Sequence, residues 1–202
     1  MNFAIEQNQT LICLGDSITQ NAPGYVSLLA ALIAAKYPGH DIAVINAGIS
    51  GNKAPDMLGR LQRDVLAYRP DWVTINVGIN DVWHGMDGGA GVSVEVYARD
   101  LEEMVVRTQQ SGKTQVVLAT PTIIGEGPDE PGNRQLEDYV QAMEDIAHRR
   151  GTRLAPTHSD FLLTLRAGQA ADPAFSMTTD GVHMNAAGDA RMALTILETL
   201  NF

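Results

Sequence analysis

The sequence predicts an α/β fold of three layers, in which helices cover both faces of a five-stranded parallel sheet. Two observations predict it. Five short apolar runs rich in valine and isoleucine alternate with longer helical patterns along the chain. Each run is nearly continuous in its apolar character, as strands buried on both faces must be. A third observation concerns placement. Polar blocks rich in Gly, Asn and Asp follow the first three runs, and parallel α/β folds bind ligands at the carboxyl ends of their strands.

The elements follow in order. The first strand, Thr10–Leu14, runs into Gly15-Asp16-Ser17, where glycine tolerates a sharp turn. A loop leads to a helical pattern over Tyr25–Tyr37, closed by Pro38-Gly39. The second strand is Asp41–Ala47, followed by a helix over Pro55–Tyr68. The third strand is Asp71–Val77, followed by a glycine-rich loop, Val82–Ser93, and a helix over Val94–Gln110 that Ser111-Gly112 ends. The fourth strand is Gln115–Thr120. A second long loop, Pro121–Gly132, leads to a helix over Arg134–Arg150, with Asn133 as its expected cap. A short strand at Thr152–Ala155 and helical patterns over Ser159–Arg166 and Asn185–Leu200 complete the chain, with Asn185 expected to cap the last. Both long loops follow strand ends, so both are expected to overhang a site.

Composition bounds the function. The 202 residues suffice for one domain with a sizeable core, and the 45% apolar, 19% charged balance is that of an ordinary globular chain. No span approaches the roughly 20 apolar residues of a membrane helix. Met1–Thr10 has neither a basic residue nor an apolar core, so no signal peptide is visible and the cytoplasm is the expected compartment. The formal charge of −10 repels nucleic acid and anionic lipid, and the basic residues are scattered. The balance suits neutral substrates. Cys13 is the only cysteine and lies in an apolar strand, where an inert buried thiol is expected.

Ser17, at the turn after the first strand, is the candidate nucleophile. A hydroxyl needs a neighbouring imidazole to take its proton. Of the five histidines, His183 is the best base. His40 lies in a Pro-Gly turn and is expected to be solvated. His148 sits in a charged helix end, His158 precedes a helix, and His84 follows the third-strand block and is a candidate for the substrate site. Only His183 has a carboxylate three residues before it in an Asp-Gly turn. That spacing lets Asp180 reach the far ring nitrogen and fix the tautomer. Read singly, each block also suits a plain turn. The histidines lack metal-ligand spacing, and no phosphate-binding glycine loop appears, so neither metal nor cofactor is expected. The Gly-x-Ser-x-Gly elbow is absent.

Four blocks carry a resemblance. Leu14-Gly15-Asp16-Ser17-Ile18-Thr19, Asn46-Ala47-Gly48-Ile49-Ser50-Gly51-Asn52, Gly78-Ile79-Asn80-Asp81 and Asp180-Gly181-Val182-His183 occur in this order over nearly the whole chain. They resemble the SGNH hydrolases, also called the GDSL esterase/lipase family. The expected architecture is then a single, flavodoxin-like α/β/α domain over residues 1–202. The resemblance implies a Ser17-His183-Asp180 triad and an acyl-enzyme. It also implies an oxyanion hole formed by the Ser17 N–H, the Gly51 N–H and the Asn80 side-chain amide. Gly48 is the alternative donor if the second block is shifted by a turn. Asp16 and Asp81 are implied to be structural. Within the family, Pro70-Asp71-Trp72-Val73, Gly78 to Trp83, and Thr120-Pro121 with Glu126 resemble the intracellular acetylxylan esterases. These imply an acetylated oligosaccharide as substrate and assembly into a homo-oligomer, although no surface stripe in the sequence marks an interface. Trp83 and His84 are the expected wall beside the acyl group. Two departures stand out: the loop between Thr19 and Tyr25 is short, and Thr179 precedes Asp180 where those esterases tend to carry an aromatic. The alternatives are a lysophospholipase or thioesterase for longer acyl chains, and a catalytically silent binding module.

Overall fold

In the computed structural model, which describes residues 2–86, 88–127 and 129–202, the sheet contains five strands. They are Thr10–Gly15 (β1), Ala43–Gly48 (β2), Trp72–Asn76 (β3), Gln115–Ala119 (β4) and Arg153–Ala155 (β5). All pair in parallel, in the order β2-β1-β3-β4-β5. The chain steps from β1 to one edge and then returns past β1 to β3. Such a reversal opens a crevice beyond the carboxyl ends of β1 and β3. Eight helices are described: Ser17–Gln20 (α1), Tyr25–Lys36 (α2), Ala54–Asp64 (α3), Ile79–Trp83 (α4), Val94–Gln110 (α5), Pro131–Arg150 (α6), Thr157–Ala171 (α7) and Ala186–Thr199 (α8).

Side chains alternate between the faces of a strand, and this alternation builds two cores. Leu11, Cys13, Trp72, Val117 and Ala119 pack with Tyr25, Leu29, Phe161 and Ile196 of α2, α7 and α8. Ile12, Leu14, Val73, Ile75, Val116 and Leu118 pack with Met57, Leu61, Leu101, Met104 and Met143 of α3, α5 and α6. Fully burying a side chain of this size stabilises by roughly 1.5–3 kcal/mol, so the two layers hold the sheet rigid under its crevice. Cys13 is buried as expected, and burial pushes its thiol up to about 12. Among the described residues no helix is long and apolar enough to cross a membrane.

Several expectations need correction. Asn133 does not cap α6, because the helix begins at Pro131, where a missing N–H is tolerated. Instead the Asn133 Oδ1 accepts from the Ile124 N–H at 2.8 Å, and its Nδ2 donates to the carbonyls of Gly125 and Gly127. It braces the loop after β4. Asn185 does cap α8, accepting from the N–H groups of Ala187 and Gly188. β2 starts later than Asp41, which adopts a left-handed φ of 50° that no strand accommodates. The helix expected over Pro55–Tyr68 ends at Asp64 and is followed by a separate 3-10 turn at Leu66–Tyr68. Val82 and Trp83 belong to α4 rather than to the following loop. α7 is longer at both ends than Ser159–Arg166. His40 is half-buried beside the Tyr37 ring, at 5.2 Å, and not fully solvated.

Candidate active site

β1 delivers Ser17 to the crevice. Gly15 makes the turn possible: a Cβ there would meet Thr19 Oγ1 at 1.9 Å. Asp16 caps the short helix α1 through its side chain, accepting from the Ile18 N–H at 3.0 Å. Ser17 therefore stands at the first helical position, on a tight turn capped by Asp16. The Ser17 hydroxyl lies 3.0 Å from His183 Nε2. The other ring nitrogen, Nδ1, lies 2.7 Å from Asp180 Oδ2. Asp180 Oδ1 accepts from the N–H groups of Val182 and His183 at 3.0 and 2.8 Å. Burial raises the Asp180 carboxyl, but the His183 side chain and these N–H groups outweigh it and hold it below the usual carboxylate range. An anionic Asp180 favours the tautomer in which Nδ1 carries the proton and Nε2 is free to accept from the serine.

Three groups are the candidate oxyanion donors. No hydrogen bond from the Ser17 N–H or the Gly51 N–H to another group is recorded among the described residues. The alternative donor Gly48 is already engaged, its N–H bonding Asn46 Oδ1 at 2.9 Å. Gly51 has a φ of +77°, which glycine adopts freely, and follows Ser50 at the rim of a cleft. Asn80 is buried, and its Nδ2 donates to the Asn52 carbonyl at 3.1 Å and to Asp16 Oδ2 at 3.3 Å. A developing oxyanion would compete with the longer of these two contacts.

The two neighbouring acids are buried, as the structural role implied for them requires. Burial pushes the Asp16 carboxyl up to about 6, against the lowering effects of the Ile18 N–H, His183 and Arg60. Burial pushes Asp81 up to about 7, and the nearby Asp16 adds to the rise. Asp81 Oδ1 receives the Ala54 N–H at the start of α3 at 3.0 Å, while Oδ2 is buried without a partner among the described residues.

The remaining candidates fall outside this cluster or at its edge. Trp83 is not a core residue; it is 38% exposed, and its ring lies 6.0 Å from the His183 ring in an edge-on arrangement. The exposed His84 lies 5.9 Å beyond it, ring to ring. His148 is exposed at the end of α6, and His158 is buried with its Nδ1 bonded to the Thr122 carbonyl. Beside Ser17 and His183 opens a cleft of about 480 Å³, lined by Gln20, Asn21, Ser50 and Thr179 together with Ile18 and Met184. Among the described residues no three His, Cys, Asp or Glu side chains gather as metal ligands would.

Arg60 escaped the sequence reading. It is 7% exposed, and its guanidinium donates to the carbonyls of Gly15 and Ala47 at 2.8 and 2.9 Å and to Asn52 Oδ1 at 2.6 Å. It thus ties the ends of β1 and β2 to the loop that carries Gly51. In sequence it is one more cation on an amphipathic helix, and no local signal separates it from the others.

The class of protein, a carboxylic ester hydrolase, follows from its relatives. The GDSL-like lipase/acylhydrolase family model matches residues 13–191. An acetylxylan esterase of Geobacillus stearothermophilus is 31% identical, over 98% of this chain and 96% of its own. Its crystal structure superposes with a TM-score of 0.87, covering 98% and 97% of the two chains. Variants of that esterase in which a serine, an aspartate or a histidine is replaced by alanine are described as catalytic mutants. Esterase TesA of Pseudomonas aeruginosa is 27% identical over 95% of this chain and 88% of its own. LAE5, an alpha/beta hydrolase enzyme from the metagenome of Lake Arreo, Spain, superposes with a TM-score of 0.90 at 29% identity, over 99% and 98% of the chains. The chain belongs to the GDSL-like lipase/acylhydrolase family.

Proposed function

We propose that the protein is a serine acetylesterase that removes O-acetyl groups from sugars or oligosaccharides through a Ser17-His183-Asp180 triad. The observation that carries the reading is the continuous chain of contacts, 3.0 Å from Ser17 Oγ to His183 Nε2 and 2.7 Å from Nδ1 to Asp180. In this reading His183 takes the Ser17 proton as Oγ attacks the ester carbonyl, and Asp180 stabilises the resulting imidazolium. The carbonyl oxygen becomes an oxyanion held by the Ser17 N–H, the Gly51 N–H and the Asn80 amide. One such donor is worth about 3–4 kcal/mol in the transition state. His183 then returns its proton to the departing alcohol, leaving acetyl on Ser17. Water, deprotonated by the same imidazole, releases acetate. One domain, residues 1–202, performs every step.

Two features support the acetyl-sugar substrate. The cleft beside Ser17 presents amides and hydroxyls from Gln20, Asn21, Ser50 and Thr179 beside the apolar Ile18 and Met184, a lining that can bond sugar hydroxyls. Trp83 stands against the catalytic imidazole, where it narrows the space for the acyl group. The acetylxylan esterase relative points the same way, and its mutated aspartate and histidine have the spacing of Asp180 and His183. That relative places a tryptophan just before its aspartate, whereas Thr179 stands here. The sugar face of the site is therefore expected to differ.

The test is kcat/KM across p-nitrophenyl esters of increasing length, together with acetate release from a panel of acetylated xylo-oligosaccharides. Each methylene that fits a pocket contributes about 0.8 kcal/mol, so a long-chain enzyme improves steadily toward octanoate. The expected profile instead peaks at acetate or propionate and falls steeply beyond butyrate. A maximum at octanoate or longer would replace this reading with a lysophospholipase or thioesterase.

A further inference from the structure

We infer that Glu126 is a positioning residue for the reaction: it grips the backbone of the hairpin that carries Asp180 and His183, and so sets where the imidazole stands relative to Ser17. The inference rests on the triad proposed above.

Asp180 and His183 sit on one short hairpin. Thr178 and Met184 pair antiparallel, and the Thr179 N–H bonds the His183 carbonyl at 2.8 Å. The side chains of both Asp180 and His183 are more than one-third exposed, so packing around them does not hold them in place. Their orientation comes from the backbone beneath. Glu126, in the loop after β4, supplies the grip. Its Oε1 accepts from the N–H groups of Met177 and Thr178 at 3.1 and 2.7 Å, and from the Thr178 hydroxyl. Its Oε2 accepts from the Met177 N–H at 3.2 Å.

The preceding residue grips the other end. The Gly125 N–H donates to the Gly181 carbonyl at 2.7 Å, and the Gly181 N–H donates to Thr178 Oγ1 at 3.0 Å. The loop holding both is itself fixed by Asn133 of α6, as described above. A continuous set of bonds thus runs from a long helix to the hairpin tip. A carboxylate suits this place because every group it meets is a donor. A carboxamide would turn an NH2 group toward an N–H. The set resembles the supporting hydrogen bonds that orient reactive groups in other sites, where small misplacements are costly.

The experiment measures kcat, KM and melting temperature for Glu126→Gln and Glu126→Ala with p-nitrophenyl acetate. The same Glu126→Ala change is made on His183→Ala, whose residual rate is raised with free imidazole. Free imidazole is a base that the hairpin does not place. For the single variants, kcat should fall about tenfold (Gln) and about a hundredfold (Ala) with KM within about twofold, the scale of a base moved by up to an ångström. On His183→Ala, the Glu126→Ala change should alter the rate by less than about twofold, the non-additivity of two changes acting through one group. Unchanged kcat in both single variants would overturn the inference. So would an equal loss in both backgrounds, which would mark a general structural role. If Glu126→Ala fails to fold, Glu126→Gln on both backgrounds decides. Near-wild-type activity of His183→Ala alone would instead sink the triad reading.

Discussion

Ser17 and His183 lie 166 positions apart in the chain and meet within a single hydrogen bond. Replacing Ser17 with alanine is expected to cut kcat at least about a thousandfold while leaving the melting temperature unchanged. Mass spectrometry after treatment with a serine-directed phosphonate should find one adduct, on Ser17; an adduct elsewhere would refute the assignment. Asp180→Asn should also lose orders of magnitude in kcat, because an amide no longer selects the tautomer in which Nε2 can accept. The buried acids make a separate prediction about pH. An unfolded aspartate titrates near about 3.9. Asp16 and Asp81, raised by burial to about 6 and about 7, therefore hold protons in the folded state that the unfolded chain has released. Their contribution to stability is greatest below about pH 4 and declines as pH rises to about 7. Asp81→Asn keeps the acceptor for the Ala54 N–H and removes the charge. It should raise the melting temperature by about 5 °C relative to wild type at pH 8 and change it little at pH 4. Equal differences at both pH values would show that Asp81 does not titrate in this way.

At the level of elements, α3 and α4 each bring one side chain that bears on the site. Arg60 on α3 ties the ends of β1 and β2 to the loop after β2 with one guanidinium, so Arg60→Met should lower kcat about a hundredfold while KM moves little. Guanidinium added to the assay should restore part of the loss; a larger effect on KM than on kcat would place Arg60 in binding instead. Trp83 ends α4 beside the imidazole. Trp83→Ala should raise the ratio of octanoate to acetate kcat/KM about tenfold, about the gain of two buried methylenes. The five strands and the long helices were legible in the sequence because valine-rich runs and capping residues report local geometry. The Asp-Gly turn before His183 was legible for the same reason. What escaped the sequence is non-local. α1 and α4 are too short to show a period, and each is set by the turn it continues. Asn133 looks like a cap because a cap needs only a side-chain oxygen near a helix start, yet its partners lie in the preceding loop. Arg60 bonds carbonyls that belong to two other strands. Nothing in the local pattern around Asn80 shows that its amide already has Asp16 and Asn52 as partners.

Over the whole molecule, the order β2-β1-β3-β4-β5 has a consequence for dividing it. From β3 onward the strands lie side by side in chain order, and the exposed turn Ser111-Gly112-Lys113 joins α5 to β4. A cut there crosses the sheet along one seam only. The first fragment, residues 1–112, keeps Ser17, Gly51 and Asn80. The second, residues 113–202, keeps Glu126, Asp180 and His183. In the proposed mechanism neither half alone holds a complete triad. Each also exposes a bare strand edge, β3 in one and β4 in the other, whose native partner is the other half. Co-expressed, the two pieces are expected to reassemble and recover esterase turnover, while Ser17→Ala in the first or His183→Ala in the second leaves the pair silent. Recovered turnover would make the fold a two-part reporter, in which ester cleavage is the signal that the halves have met.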